Sequence, residues 1–152
     1  MVFETWVQCT SRFPGLKQRH PRTYHCKDSA ARAAHTPADA ALHAFRAFVL
    51  ASKNDKFEFQ FVHVRNPETG VQGSYQMVLC DGGPYLRRTL RYGEDVSCPR
   101  DEVHVPDLLT DRIVYDEALR LAREWQARED RLDAARFAAY AVAQTQEGNQ
   151  CR

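Results

Sequence analysis

The sequence predicts an α+β domain in which helices cover one face of an antiparallel sheet of three to four strands. Three observations carry this. Residues 57–65 and 71–80 read as a strand pair around the Asn66-Pro67-Glu68-Thr69-Gly70 turn, apolar residues recur at helical spacing over 36–52, and neither Gly nor Pro appears between Pro106 and Gly148. The 152 residues are 43% hydrophobic and 27% charged, a balance that excludes a disordered tail. A chain of this length buries one core, so 1–152 is expected to form a single domain.

The elements follow in chain order. Val2 to Thr10 places Phe3, Thr5, Val7 and Cys9 on one side and Glu4, Trp6 and Gln8 on the other, the period of a strand. Residues 12–35 hold Pro14, Gly15 and Pro21 without a sustained period and predict a long basic loop with a short helix at 29–34. Thr36 before Pro37 is a helix start, because a Thr side chain accepts from an early backbone N–H and Pro loses no needed donor at the first position. Ala38, Ala41, Leu42, Phe45, Phe48 and Val49 form the buried stripe of that helix, which Lys53-Asn54-Asp55 ends.

Alternation puts Phe57, Phe59 and Phe61 on one face of the next strand, and the hairpin 57–80 is expected at the centre of the sheet. Asp81-Gly82-Gly83-Pro84 turns the chain into a third strand, Tyr85 to Tyr92, and an extended piece is expected at 103–105. C-terminal helices over 110–143 pack Leu121 and Trp125 on the same core as Phe45, Phe48, Phe59 and Phe61. The apolar line shifts beyond Arg128, which predicts a break or bend near 129–131. The helix–strand–strand–strand–helix order from Thr36 to Arg128 resembles the double-stranded-RNA-binding domain in topology. The Lys-rich start of that family's second helix is absent, Thr110 to Glu117 reading TDRIVYDE, and no residues carry over.

Charge and chemistry bound the function. No run approaches the roughly 18 apolar residues of a membrane span, and the N-terminus has no basic region leading into a long apolar one, so a cytoplasmic protein is expected, without membrane contact. Cys9, Cys26, Cys80, Cys98 and Cys151 are odd in number and lack a CxxC pair, so reduced, metal-free thiols are expected. Gly70, Gly73, Gly82 and Gly83 precede no helix with a Lys-Ser/Thr signature, which excludes a phosphate loop.

The net charge of +1 conceals a gradient: residues 1–76 carry ten Lys/Arg against six Asp/Glu, and 77–152 eleven against fourteen. Between Arg12 and Arg32 six cations face only Asp28, interleaved with Phe13 and Tyr24. Such a stretch suits an acidic protein surface or nucleic acid, whose phosphates take cations and whose bases stack on rings. The expectation is a small non-enzymatic binding or regulatory protein that contacts a macromolecule, protein slightly before nucleic acid. Its site is Arg12, Lys17, Arg19, His20, Arg22, Tyr24 and Lys27, aided by Arg87, Arg88 and Arg91. No catalytic residue, metal ligand or cofactor is assigned. The alternative is a small enzyme dependent on a metal or a Cys/His pair, drawing on His20, His25, Cys26 or His104. The alanine-rich C-terminal helical region, with Phe137 and Tyr140, is a second candidate surface, for homo-oligomerisation.

Overall fold

The computed structural model describes residues 2–12, 21–97, 99–108 and 110–150, the side chains of 147–150 excepted. The chain runs β1 (Glu4–Ser11), β2 (Pro21–Cys26), α1 (Ser29–Arg32), α2 (Pro37–Leu50), a 3₁₀ turn at Lys53–Asp55, β3 (Phe57–Arg65), β4 (Gln72–Cys80), β5 (Gly83–Arg88), β6 (Glu102–His104), α3 (Val105–Leu108) and α4 (Arg112–Gln150). The strands form one six-stranded antiparallel sheet in the order β2-β1-β3-β4-β5-β6. Strands β2 and β3 lie on either side of β1 and both run antiparallel to it, so they share a direction. Joining them takes a crossover, which α2 provides.

Local chemistry accounts for the crossover. Asp28 caps α1, accepting from the Ala31 N–H at 3.2 Å. Thr36 caps α2 by accepting from the Asp39 N–H at 3.1 Å, with Pro37 in the first turn. Further on, Asp81 (φ 49°) and Gly82 (φ 77°) both take the left-handed region between the paired residues Cys80 and Gly83. Two positive φ angles in a two-residue loop match the right-handed twist of the flanking strands.

The helices share one face of the sheet. Thr5, Val7 and Cys9 of β1, Phe59, Val62 and Val64 of β3, Tyr75 and Met77 of β4 and Leu86 of β5 are buried beneath Leu42, Phe45 and Phe48 of α2 and Val114, Ala118, Leu121 and Ala122 of α4. Phe45 meets Phe59 edge-on at 5.0 Å and Phe48 meets it at 6.3 Å. Asp101 fastens this layer by accepting from the Tyr75 hydroxyl at 2.6 Å and from the Ala38 N–H, in the first turn of α2, at 3.0 Å.

The structure corrects the sequence reading in five places. The sheet has six strands rather than three or four. Strand β2 lies within the segment read as loop 12–35, because PRTYHC is an edge strand with Arg22, Thr23 and His25 exposed, and its period is masked by polarity, whereas α1 falls where the short helix at 29–34 is expected. Strand β5 ends at Arg88, short of Tyr92. The C-terminal region is one uninterrupted helix without a break near 129–131: its residues are good helix formers, and the shift in apolar pattern marks the point where the helix leaves the body, every side chain from 130 to 146 being exposed. Finally, Phe61 is not in the core, and Trp125 is only half-buried outside it. The β1–β3 register shifts between Gln8 and Cys9, which pair with Phe61 and Phe59, so Gln60 is the extra residue of a β-bulge that turns Phe61 to the opposite face.

Candidate functional site

The residues of the predicted basic site do not form one surface. Lys17, Arg19 and His20 lie outside the described residues. Arg12 is drawn to the far end of β1, where it pairs with Glu58 at 2.8 Å and Glu117 at 3.4 Å. Arg22 and Lys27 are exposed at the free β2 edge, and Tyr24 between them turns inward to meet Phe48 edge-on at 5.9 Å. Strand β5, carrying Arg87 and Arg88, lies four strand spacings away, on the order of 20 Å. There Arg87 pairs with Glu102, and Arg88 grips Glu94 with two parallel bonds of 2.7 and 2.8 Å. That grip, with the Arg91 N–H, holds the Glu94 carboxyl down to about 2. Arg91 is exposed and donates to the Gln72 carbonyl at 3.2 Å. The arginines of β5 therefore have partners that sequence spacing could not reveal.

Two regions remain prominent: the β2 edge and the sheet face opposite the helices. Arg22, His25, Lys27 and Arg32 are exposed around the edge, and none joins an ion pair among the described residues. The nearest acid in sequence, Asp28, is engaged in capping α1. His25 stands opposite Trp6 in the β1–β2 ladder, on the face away from the helices. There Trp6 stacks on His63 at 5.5 Å, and Phe61 lies 6.3 Å from the same imidazole. At the other end of this face Tyr85 packs on His104 at 4.6 Å, a closeness that requires Gly83, because a Cβ there would come within 2.8 Å of the imidazole.

A chain of hydrogen bonds crosses the face beneath the rings. His63 Nε2 meets the Gln8 amide oxygen at 2.9 Å, and the Gln8 amide nitrogen donates to Gln60 at 3.1 Å. An amide oxygen only accepts, so Nε2 carries the proton and Nδ1 accepts from the Ser74 hydroxyl at 2.8 Å. Burial lowers the pKa of His63, which matches this neutral tautomer. A serine donating to a histidine is half of a nucleophilic pair. Here, however, the third group is an amide rather than a carboxylate, and Ser74 sits in mid-ladder, so the chain serves as a clip holding β1, β3 and β4 in register. Sequence reasoning missed this set because Trp6 and Gln8 belong to β1 while Phe61 changes face only through the bulge.

The thiol and imidazole candidates do not converge. His25 and Cys26 alternate along β2, the first exposed and the second buried. Cys9 is buried, its Sγ 3.6 Å from the Arg22 carbonyl, and burial raises its thiol pKa. His104 lies 3.1 Å from Asp107, while Cys98 and Cys151 lie outside the described residues. Among the described residues no three His, Cys, Asp or Glu side chains gather as a metal would require, and no helix is long and apolar enough to cross a membrane. Comparison with protein-family models, with curated proteins and with solved structures yields no match.

Proposed function

We propose that this chain is a non-enzymatic binding protein that docks an acidic protein surface on the uncovered sheet face, beside the β2 edge. The observation that carries this reading is the juxtaposition of a preorganised aromatic centre, Trp6–His63–Phe61, with two exposed basic side chains, His25 opposite Trp6 on the same face and Lys27 just beyond it, Arg22 standing at the same edge on the helix side of the sheet. Half-buried rings whose polar neighbours are already hydrogen-bonded lose little freedom on docking, and cations outside ion pairs steer an acidic partner. A protein is favoured over nucleic acid because the net charge is only +1 and Arg65 and Arg87 on this face are neutralised by Glu4 and Glu102.

The test is charge reversal at the edge. With the partner that co-purifies from the native host, an Arg22→Glu, Lys27→Glu variant should associate at least tenfold more slowly than wild type while melting at the same temperature. Unchanged association would remove the edge from the interface. If the co-purifying molecule is nucleic acid, whose affinity falls steeply with salt, the protein reading fails.

A second contact, with another copy of the chain, rests on one feature of α4. Beyond Arg131 every described side chain is exposed, and Phe137 at 75% and Tyr140 at 61% are apolar rings that a helix–helix pairing would cover.

A further inference from the structure

Strands β3 and β4 are paired only over Val62–Arg65 and Gln72–Tyr75. Below Val62 strand β3 is held by β1, and beyond Tyr75 strand β4 is held by β5, so the sheet opens into a fork. The bulge at Gln60 lies at the root of this fork, and α4 passes across it. The result is a groove of about 690 Å³, within the range of pockets that hold small organic ligands.

The groove has two kinds of wall. Phe61, Met77, Leu121 and Trp125 supply apolar surface, and Gln60 and Gln76 stand among them as neutral hydrogen-bonding groups. Arg128 and Arg131 supply the charged end, both exposed and one helical turn apart. The carboxylates of the groove are already taken: Glu58 binds Arg12 and Arg120, and Glu124 binds Arg120 at 2.7 Å. Among the described residues neither Arg128 nor Arg131 has an acidic partner. Two like charges three residues apart repel one another, and an anion placed between them reverses that cost.

We infer that this groove binds a small amphipathic anion, its apolar body against Phe61, Met77, Leu121 and Trp125 and its head on Arg128 and Arg131. A carboxylate and a phosphate monoester share this chemistry. The site shares only Phe61 with the docking face proposed above, and its test needs no macromolecular partner.

The experiment is titration of the full chain with decanoate, decyl phosphate and decanol, each below its aggregation concentration, read by calorimetry and by the indole N–H resonance of Trp125, assigned through Trp125→Phe. Decanoate or decyl phosphate should bind with one-to-one stoichiometry, shift the Trp125 signal and exceed decanol at least tenfold in affinity. The tighter of the two anions identifies the head group. An Arg128→Gln, Arg131→Gln variant should lose that tenfold preference while keeping its melting temperature and its weak affinity for decanol. Absence of saturable binding by either anion, equal affinity for decanol, or an unaltered preference in the double variant would overturn the assignment.

Discussion

The two faces of the sheet are built from the same six strands by different chemistry. Under the helices the side chains are aliphatic and aromatic, and Phe45, Phe48, Leu42, Val62 and Leu86 are wholly buried. On the other face Trp6, Phe61, His63, Tyr85 and His104 are only half-buried and alternate with Gln8, Gln60, Ser74 and Gln76. The helix face supplies stability through area removed from water, and the open face supplies order through hydrogen bonds that leave ring surface available. A face that a helix does not cover must satisfy its own polar groups, and the chain Ser74–His63–Gln8–Gln60 does so.

The comparison breaks most visibly at two phenylalanines that sequence alternation places together. Phe48→Ala should cost roughly 3 to 5 kcal/mol by opening a cavity between α2 and the sheet. Phe61→Ala should cost about 1 kcal/mol, since its ring is half exposed and no cavity is enclosed. Urea denaturation of the two variants checks this; equal losses would return Phe61 to the core and remove the bulge.

The open face should also carry a pH signature of its own. Burial lowers the pKa of His63, so the folded chain binds that proton less readily than the unfolded chain. Its contribution to stability is therefore complete above the ordinary imidazole value of about 6.5 and is lost as pH falls below it. Between pH 7 and pH 5 wild type should lose more stability than a His63→Gln variant. Parallel curves would mean that the imidazole is not enclosed as the hydrogen bonds indicate.

The smallest expected effect lies in the helical arm. Removal of residues 132–152 takes away no buried side chain among those described and should change stability by less than about 0.5 kcal/mol. Sedimentation of the shortened chain separates the two roles open to the arm: self-association should vanish while the melting temperature holds. A fall of several degrees would show that the arm packs on the body.

The helix-covered face was largely legible in the sequence, whereas the open face was not. Thr36-Pro37 marked α2, the alternation in β1 grouped Thr5, Val7 and Cys9 on one side of the strand, and the Asp81-Gly82 turn located the β4–β5 connection. These signals are local and survive without knowledge of neighbours. The position of β1 between β2 and β3 is a long-range pairing, and the bulge at Gln60 exists only in register with Gln8, so neither leaves a periodic trace. The charge reading failed to anticipate partners for a similar reason. Arg12 finds Glu117 across 105 positions, and Arg88 finds Glu94 only after the chain turns back.

The most direct measurement is photo-crosslinking in the native host from a benzophenone side chain placed at one of three positions in turn. These are His25 on the open face, Leu50 at the end of α2, and Tyr140 on the arm, all exposed. The account predicts one dominant heterologous protein adduct from position 25, absent when Arg22→Glu and Lys27→Glu are added, and none from position 50. A heterologous adduct from position 50 or 140 with none from position 25 would contradict the assignment of the open face as the docking surface.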